Sequence, residues 1–98
     1  PKGGVKINRD RRITTSRFVI LTLTATDPSQ PLTMRLSNNG KKWTDWKPYK
    51  RLRSWDLTNK DNGGNRRKGY KWVCVQYHDN LKNRSKTYID RVKYTKKR

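Results

Sequence analysis

Residues 62–80 read NGGNRRKGYKWVCVQYHDN and carry the two signals on which the reading of the chain turns. The second half alternates. Val73, Val75 and Tyr77 fall on one face of an extended segment, and Trp72, Cys74 and Gln76 fall on the other. A half-buried β-strand has this period of two. The first half is a glycine turn bearing Arg66, Arg67, Lys68 and Lys71. The expectation is a core strand over residues 73–77, joined to a hairpin over residues 62–72 that carries positive charge outward.

The same period recurs on either side. Residues 17–25, RFVILTLTA, put Val19, Leu21, Leu23 and Ala25 on one face and Thr22 and Thr24 on the other; Asp27-Pro28 breaks the run. LTMRLSNNGKKW aligns Leu32, Met34 and Leu36, then reaches Asn38-Asn39-Gly40, a hairpin signal. WTDWKPY is irregular, with Pro48 as a breaker. RLRSWDL reads as a short strand around Trp55 and Leu57, and KTYIDRVKY as a last strand. No stretch sustains a helical period. Short strands at roughly even spacing, with turns between them, predict an all-β antiparallel sandwich. The length of 98 residues sets a single domain over residues 1–98, with short basic tails at both ends. Only 30% of the chain is hydrophobic, but four Trp and five Tyr supply core area, unlike a disordered polycation.

Charge is the dominant fact. Lys and Arg total 26 against seven acids, a formal net charge of +19. All seven acids are Asp: Asp10, Asp27, Asp45, Asp56, Asp61, Asp79 and Asp90. Several sit in turn-like contexts, where Asp bonds to nearby backbone in a way that Glu does not. Acid is thus kept where the backbone uses it and is missing elsewhere. Such a surface fits a polyanionic partner, at some cost in self-repulsion.

Four basic clusters are expected to bind it. Arg9, Arg11 and Arg12 form the first. Lys41, Lys42, Lys47, Lys50, Arg51 and Arg53 form the second, interleaved with Trp43, Trp46, Tyr49 and Trp55. Arg66, Arg67, Lys68 and Lys71 form the third, as first contacts. Lys82, Arg84 and Lys86, with Arg91, Lys93, Lys96, Lys97 and Arg98, form the fourth. Neutralising phosphates releases counterions and gives affinity without sequence preference. Charges on distant faces act separately at a Debye length of about 8 Å. The patches should therefore grip several strands, or one wrapped polymer, rather than form one deep site.

Enzyme signatures are nearly absent. His78 is the sole histidine, leaving little for a His-based metal cluster or a Ser–His pair. Asn62-Gly63-Gly64 lacks the spacing of a phosphate loop. No catalysis, metal, cofactor or small-molecule substrate is expected. Cys74 is the only cysteine, so no intrachain disulfide forms and redox logic leaves the compartment open. No apolar run reaches membrane-spanning length. The start at Pro1, without Met, suggests a processed or excised chain.

The segments GGVKINRDRRITTSRFVILTLTATD, MRLSNNGKKWTDWKPY, SWDL, VCVQYHDNLKN and IDRVKY, in this order, resemble a bacterial immunoglobulin-like, fibronectin-III-like repeat. The resemblance runs from Gly3 to Tyr94. It implies an immunoglobulin-like sandwich in a secreted or cell-surface protein, used as a spacer, binding or assembly module; the fold assigns no activity. It also implies that Trp43, Trp46, Tyr49 and Trp55 are core. The chain departs from the pattern in two ways. Lys41, Lys42, Lys47, Lys50, Arg51, Arg53, Lys82 and Arg84 stand where small polar or acidic residues are usual. The turn before VCVQY is longer and more basic, and Trp72 is added there, available with Tyr70 for stacking or assembly. The expected function is sequence-nonspecific binding of nucleic acid, DNA first, coating or bundling it extracellularly in multiple copies. The alternative is a structural module of a surface, filament or capsid-decorating assembly that meets acidic protein, anionic polysaccharide or lipid headgroups.

Overall fold

A computed structural model of the chain describes residues 2–26, 32–79, 81 and 83–96. Among them eight strands run in order: β1 (Lys2–Ile7), β2 (Ile13–Thr14), β3 (Phe18–Thr26), β4 (Thr33–Ser37), β5 (Lys47–Pro48), β6 (Leu52–Asp56), β7 (Gly69–His78) and β8 (Tyr88–Tyr94). They make two sheets, ordered β1-β3-β6 and β2-β8-β7-β4-β5. The described residues hold two 3-10 turns and no α-helix. All strand pairs are antiparallel except β2 with β8.

Alternation decides which side chains meet between the sheets. Val5, Ile7, Val19, Leu21 and Leu23 come from the three-stranded sheet. Met34, Leu36, Val73, Val75, Tyr77 and Val92 face them from the five-stranded sheet, and Trp55 and Leu57 complete the cluster. Each buried side chain of the Leu or Val kind contributes about 1.5–3 kcal/mol of transfer free energy. The polar atoms inside are satisfied. The Tyr77 hydroxyl donates to the Gly4 carbonyl at 2.8 Å, the Tyr49 hydroxyl to the Leu23 carbonyl at 2.6 Å, and Trp55 Nε1 to Asn38 Oδ1 at 2.8 Å. Gly3 lets β1 lie close over this core, because a Cβ there would meet the Thr24 carbonyl and the Tyr77 ring.

Three expectations change. The N-terminal segment is strand β1, with Val5 and Ile7 buried, rather than a tail; two apolar residues after a Gly pair are too few to show a period. Pro48 does not interrupt structure: Lys47–Pro48 is a short edge strand paired with Met34 and Thr33, a position where a missing N–H is tolerated. The Asn38–Gly40 turn closes no tight hairpin. Ser37 Oγ accepts the Asn39 and Gly40 N–H groups, and the chain returns through a lone Ser37–Trp43 bridge. The Asp27-Pro28 break falls outside the described residues; β3 ends at Thr26.

Candidate functional site

The outer face of the five-stranded sheet follows from the register. With residues 73, 75, 77 and 92 turned inward, Tyr70, Trp72, Cys74, Gln76 and His78 turn outward from β7. Their cross-strand partners are Lys93, Arg91 and Ile89 from β8, and Ser37, Arg35 and Thr33 from β4. Tyr70 is 56% exposed and Trp72 46%. The Arg91 guanidinium lies 4.7 Å from the Tyr70 ring centroid and 5.6 Å from that of Trp72. Cation–π attraction thus ties an aromatic pair to a charge on the next strand.

Beside Tyr70 opens a shallow groove of about 650 Å³, walled by Arg11, Arg12, Ile13, Arg91 and Lys93, with Asp10 and Asp90 also in its lining. Cations far apart in sequence converge there for a structural reason. After β1 the chain leaves the three-stranded sheet through Asn8, Arg9 and Asp10, all at positive φ (49°, 57° and 70°). It then joins the five-stranded sheet as β2, parallel to β8. Three successive left-handed non-glycine residues are costly. Asn8 Oδ1 offsets part of the cost by accepting the Ile20 N–H at 2.8 Å, and the Lys93 N–H donates to the Arg12 carbonyl at 2.8 Å. The sheet swap delivers Arg11 and Arg12 to the face that holds Arg91 and Lys93. Asp90 is already engaged, since its Oδ2 accepts the Ile7 N–H at 2.9 Å.

A second aromatic–cation unit lies further along the same face. The Arg35 guanidinium sits 4.6 Å from the Trp43 ring and 4.9 Å from the Trp46 ring. Its Nε and Nη2 both donate to Gln76 Oε1, and Gln76 Nε2 donates to Thr87 Oγ1. Trp46 stacks on His78, whose Nδ1 meets the Thr33 hydroxyl. Burial, helped by Arg84, pulls the Arg35 guanidinium below its ordinary pKa. Trp43 and Trp46 are therefore outer-face residues and not core; only Trp55 and, in part, Tyr49 pack inside. Arg35 was missed as a site residue. Its signal is its place between Met34 and Leu36, which turns it outward.

The remaining basic residues divide. Arg66, Arg67 and Lys68 are exposed and precede Gly69, which pairs with Tyr94. Lys68 Nζ lies 3.9 Å from the Tyr94 ring centroid, so this loop sits at the sheet end that also holds Lys93 and exposed Lys96. Lys71 corrects the expectation of four first contacts. It shares the inward parity of Val73, is buried, and donates from Nζ to the Asn65 carbonyl and Oδ1 at 2.7 Å each. Burial lowers its pKa, against the opposing pull of Tyr94 and with the help of Arg67 and Lys68. Arg53 is likewise no free cation: it is half-buried over Trp55, and burial lowers its pKa.

The stretch Lys41–Arg53 is not one patch. Lys41 and Lys42 are exposed at the turn, their N–H groups held by Asn39 Oδ1. Lys47 is exposed on edge strand β5, and Lys50 and Arg51 are exposed on the crossing to β6. Arg84 and Lys86 are exposed on the β7–β8 connection, at the opposite end of the sheet from the groove. Arg9 is exposed beside Ile20, Thr22 and Leu52. Lys82, Lys97 and Arg98 lie outside the described residues.

Two of the acids do the backbone work expected of them. Asp56 Oδ1 accepts from the Thr58 N–H and hydroxyl, and Asp79 gathers the Leu81 and Asn83 N–H groups. Among the described residues no helix is long and apolar enough to cross a membrane. Comparison with family models, curated proteins and solved structures finds no match, so the face itself carries the functional reading.

Proposed function

We propose that this chain is a non-enzymatic, immunoglobulin-like module that binds nucleic acid, DNA foremost, through its phosphates and without sequence preference. The observation that carries the reading is the convergence of Arg11, Arg12, Arg91 and Lys93 on one groove beside exposed Tyr70 and Trp72. Phosphate neutralisation there releases counterions and needs no base contact. Five strands at about 4.8 Å spacing make a face ~19 Å across, wider than a major groove of about 12 Å. The face therefore meets backbone and does not enter a groove to read base edges. The immunoglobulin-like assignment is supported by a first segment shared between sheets, β1 on β3 and β2 parallel to β8, and by the order β8-β7-β4-β5. Residence outside the cell, with several copies along one polymer, rests on the resemblance of the sequence.

The test is a salt titration of affinity for duplex DNA, single-stranded DNA, heparin and an acidic polypeptide, run in parallel. The variant Arg11→Ser/Arg12→Ser/Lys93→Ser should lower the slope on duplex by about 0.9 for each phosphate that is no longer neutralised. Equal binding to all four polymers, with an unchanged slope in the variant, would sink the reading.

One observation favours a structural module instead. Phe18, Ile20 and Leu52 are exposed on the outer face of the three-stranded sheet. A defined oligomer in nucleic-acid-free solution would favour this second reading; a monomer that assembles only on added DNA would favour the first.

A further inference from the structure

We infer that the polymer on this face is single-stranded nucleic acid, with one base seated against Trp72 in the notch formed with Asn39, Cys74 and Ile89, and the adjoining phosphates in the Arg11–Arg12–Arg91–Lys93 groove. The inference rests on the nucleic-acid reading above and narrows its ligand.

Phosphate binding alone does not account for the apolar surface between the charges. Ile13, Tyr70, Trp72 and Ile89 are all exposed on the outer face of β2, β8 and β7, interspersed with Arg91 and Lys93. A surface built only for phosphate gains nothing from them. A base has an apolar, polarisable face that stacks on aromatic side chains, and such stacking is tolerant of sequence. Sulfated polysaccharide offers the charge without the planar ring. A duplex keeps its base faces inside the stack, and exposing one costs a few kcal/mol. A single strand offers charge and free base faces together.

The geometry fits that division. Toward Tyr70, Trp72 has the Arg91 guanidinium as neighbour. Toward Cys74 it borders a small notch of about 170 Å³. Cys74 forms an apolar wall there: its thiol is buried, and burial pushes its pKa up, away from the reactive thiolate. Asn39 stands at the other side of the notch, and its Oδ1 accepts the backbone N–H groups of Lys41 and Lys42, two exposed residues of the turn. The Arg91 guanidinium therefore lies beside the base seat. From Tyr70 to Cys74 the sheet spans ~13 Å at about 3.3 Å per residue.

The experiment compares a thymidine oligonucleotide, an abasic deoxyribose-phosphate oligomer of the same length and a duplex with the same number of phosphates, at one salt concentration. The thymidine strand should bind at least about fivefold more tightly than the abasic strand, and more tightly than the duplex. Trp72→Ala should erase that advantage, Trp72→Phe should restore most of it, and both should keep the wild-type salt slope and remain folded at the assay temperature. The part of the Trp fluorescence that Trp72→Phe removes should be quenched by the thymidine strand and not by the abasic one. Equal affinity for thymidine and abasic strands, or tighter binding of the duplex, overturns the base seat. If the salt slope still falls in the Arg11→Ser/Arg12→Ser/Lys93→Ser variant, the phosphate reading survives that result. If the slope does not fall, the phosphate reading fails and the base seat fails with it.

Discussion

The Lys71 ammonium lies 2.7 Å from both the backbone carbonyl and the side-chain oxygen of Asn65, tying the start of β7 back onto the basic loop that precedes it. One lysine of the loop is a fastener; Arg66 and Arg67 are the free charges, and Lys68 rests on the Tyr94 ring. Lys71→Met keeps the buried stem and removes the charged hydrogen bonds, so it should cost about 1.5–3 kcal/mol in urea unfolding. Its effect on the salt slope of DNA binding should be nil. Arg66→Ser/Arg67→Ser/Lys68→Ser should do the reverse, lowering the slope by about 0.9 for each phosphate released, at a stability cost of no more than about 1 kcal/mol from the lost Lys68–Tyr94 contact. A slope that falls with Lys71→Met as with the triple variant would mean the ammonium leaves Asn65 to bind phosphate.

Arg35 holds the β4–β5 loop to the sheet from the outside. Its guanidinium lies 4.6 Å and 4.9 Å from two indole rings while bonding Gln76. Arg35→Ala should destabilise the fold by about 2–4 kcal/mol, the sum expected of partly desolvated cation–π and charged hydrogen-bond contacts. Arg35→Lys should recover only a minor part, because an ammonium cannot lie flat between two rings and bond sideways at once. Near-ultraviolet circular dichroism should show a weaker Trp signal in both variants. Wild-type stability in Arg35→Ala would show that the loop is held by Thr44 Oγ1 accepting the Leu36 N–H, and not by the stack.

Adjacent glycines in β1 give a contrast that tests how closely that strand lies over the core. A Cβ at Gly3 runs into the Thr24 carbonyl and the Tyr77 ring, and both are fixed by the fold. Gly3→Ala should therefore cost about 1–3 kcal/mol through displaced backbone. At Gly4 the nearest atom to a Cβ is the Thr24 hydroxyl at 3.4 Å. Gly4→Ala should be neutral or stabilising by up to about 1 kcal/mol, because it removes freedom from the unfolded chain. Thermal melts of the two variants decide it, and equal midpoints would mean that β1 lifts off the core readily.

Long alternating runs were legible in the sequence. Val19, Leu21 and Leu23, and then Val73, Val75 and Tyr77, announce their strands because every second side chain is large and apolar. The same rule applied one step further would have placed Lys71 inward; its charge masked its parity. Trp43 and Trp46 misled in the opposite sense, since the resemblance implied core positions and nothing in their neighbours showed that the Arg35 guanidinium lies against both rings. The groove was invisible because it joins Arg11 and Arg12 to Arg91 and Lys93 through a sheet swap. That swap depends on left-handed backbone at Asn8, Arg9 and Asp10. Nothing in residue type other than Asn8 and Asp10 hints at that conformation.

Alkaline pH should unfold this protein through Tyr77. The side chain is fully buried, and burial, with Tyr49 and Tyr88 nearby, pushes the phenol far above its ordinary value. A group whose pKa is raised by folding keeps its proton in the native state after the unfolded chain has lost it. Its contribution is complete below the unfolded value of about 10 and is lost as pH climbs above it. Buried Cys74, also raised, acts with the same sign from a lower starting point. Urea midpoints measured from about pH 8 to about pH 11.5 should fall across that range. Tyr77→Phe should lower the midpoint at the neutral end of the series, because the hydrogen bond to the Gly4 carbonyl is gone, worth about 0.5–1.5 kcal/mol. Its decline above about pH 10 should be shallower than that of the wild type, so the two curves converge. Parallel curves would show that general loss of lysine charge, and not the buried phenol, governs the alkaline limit.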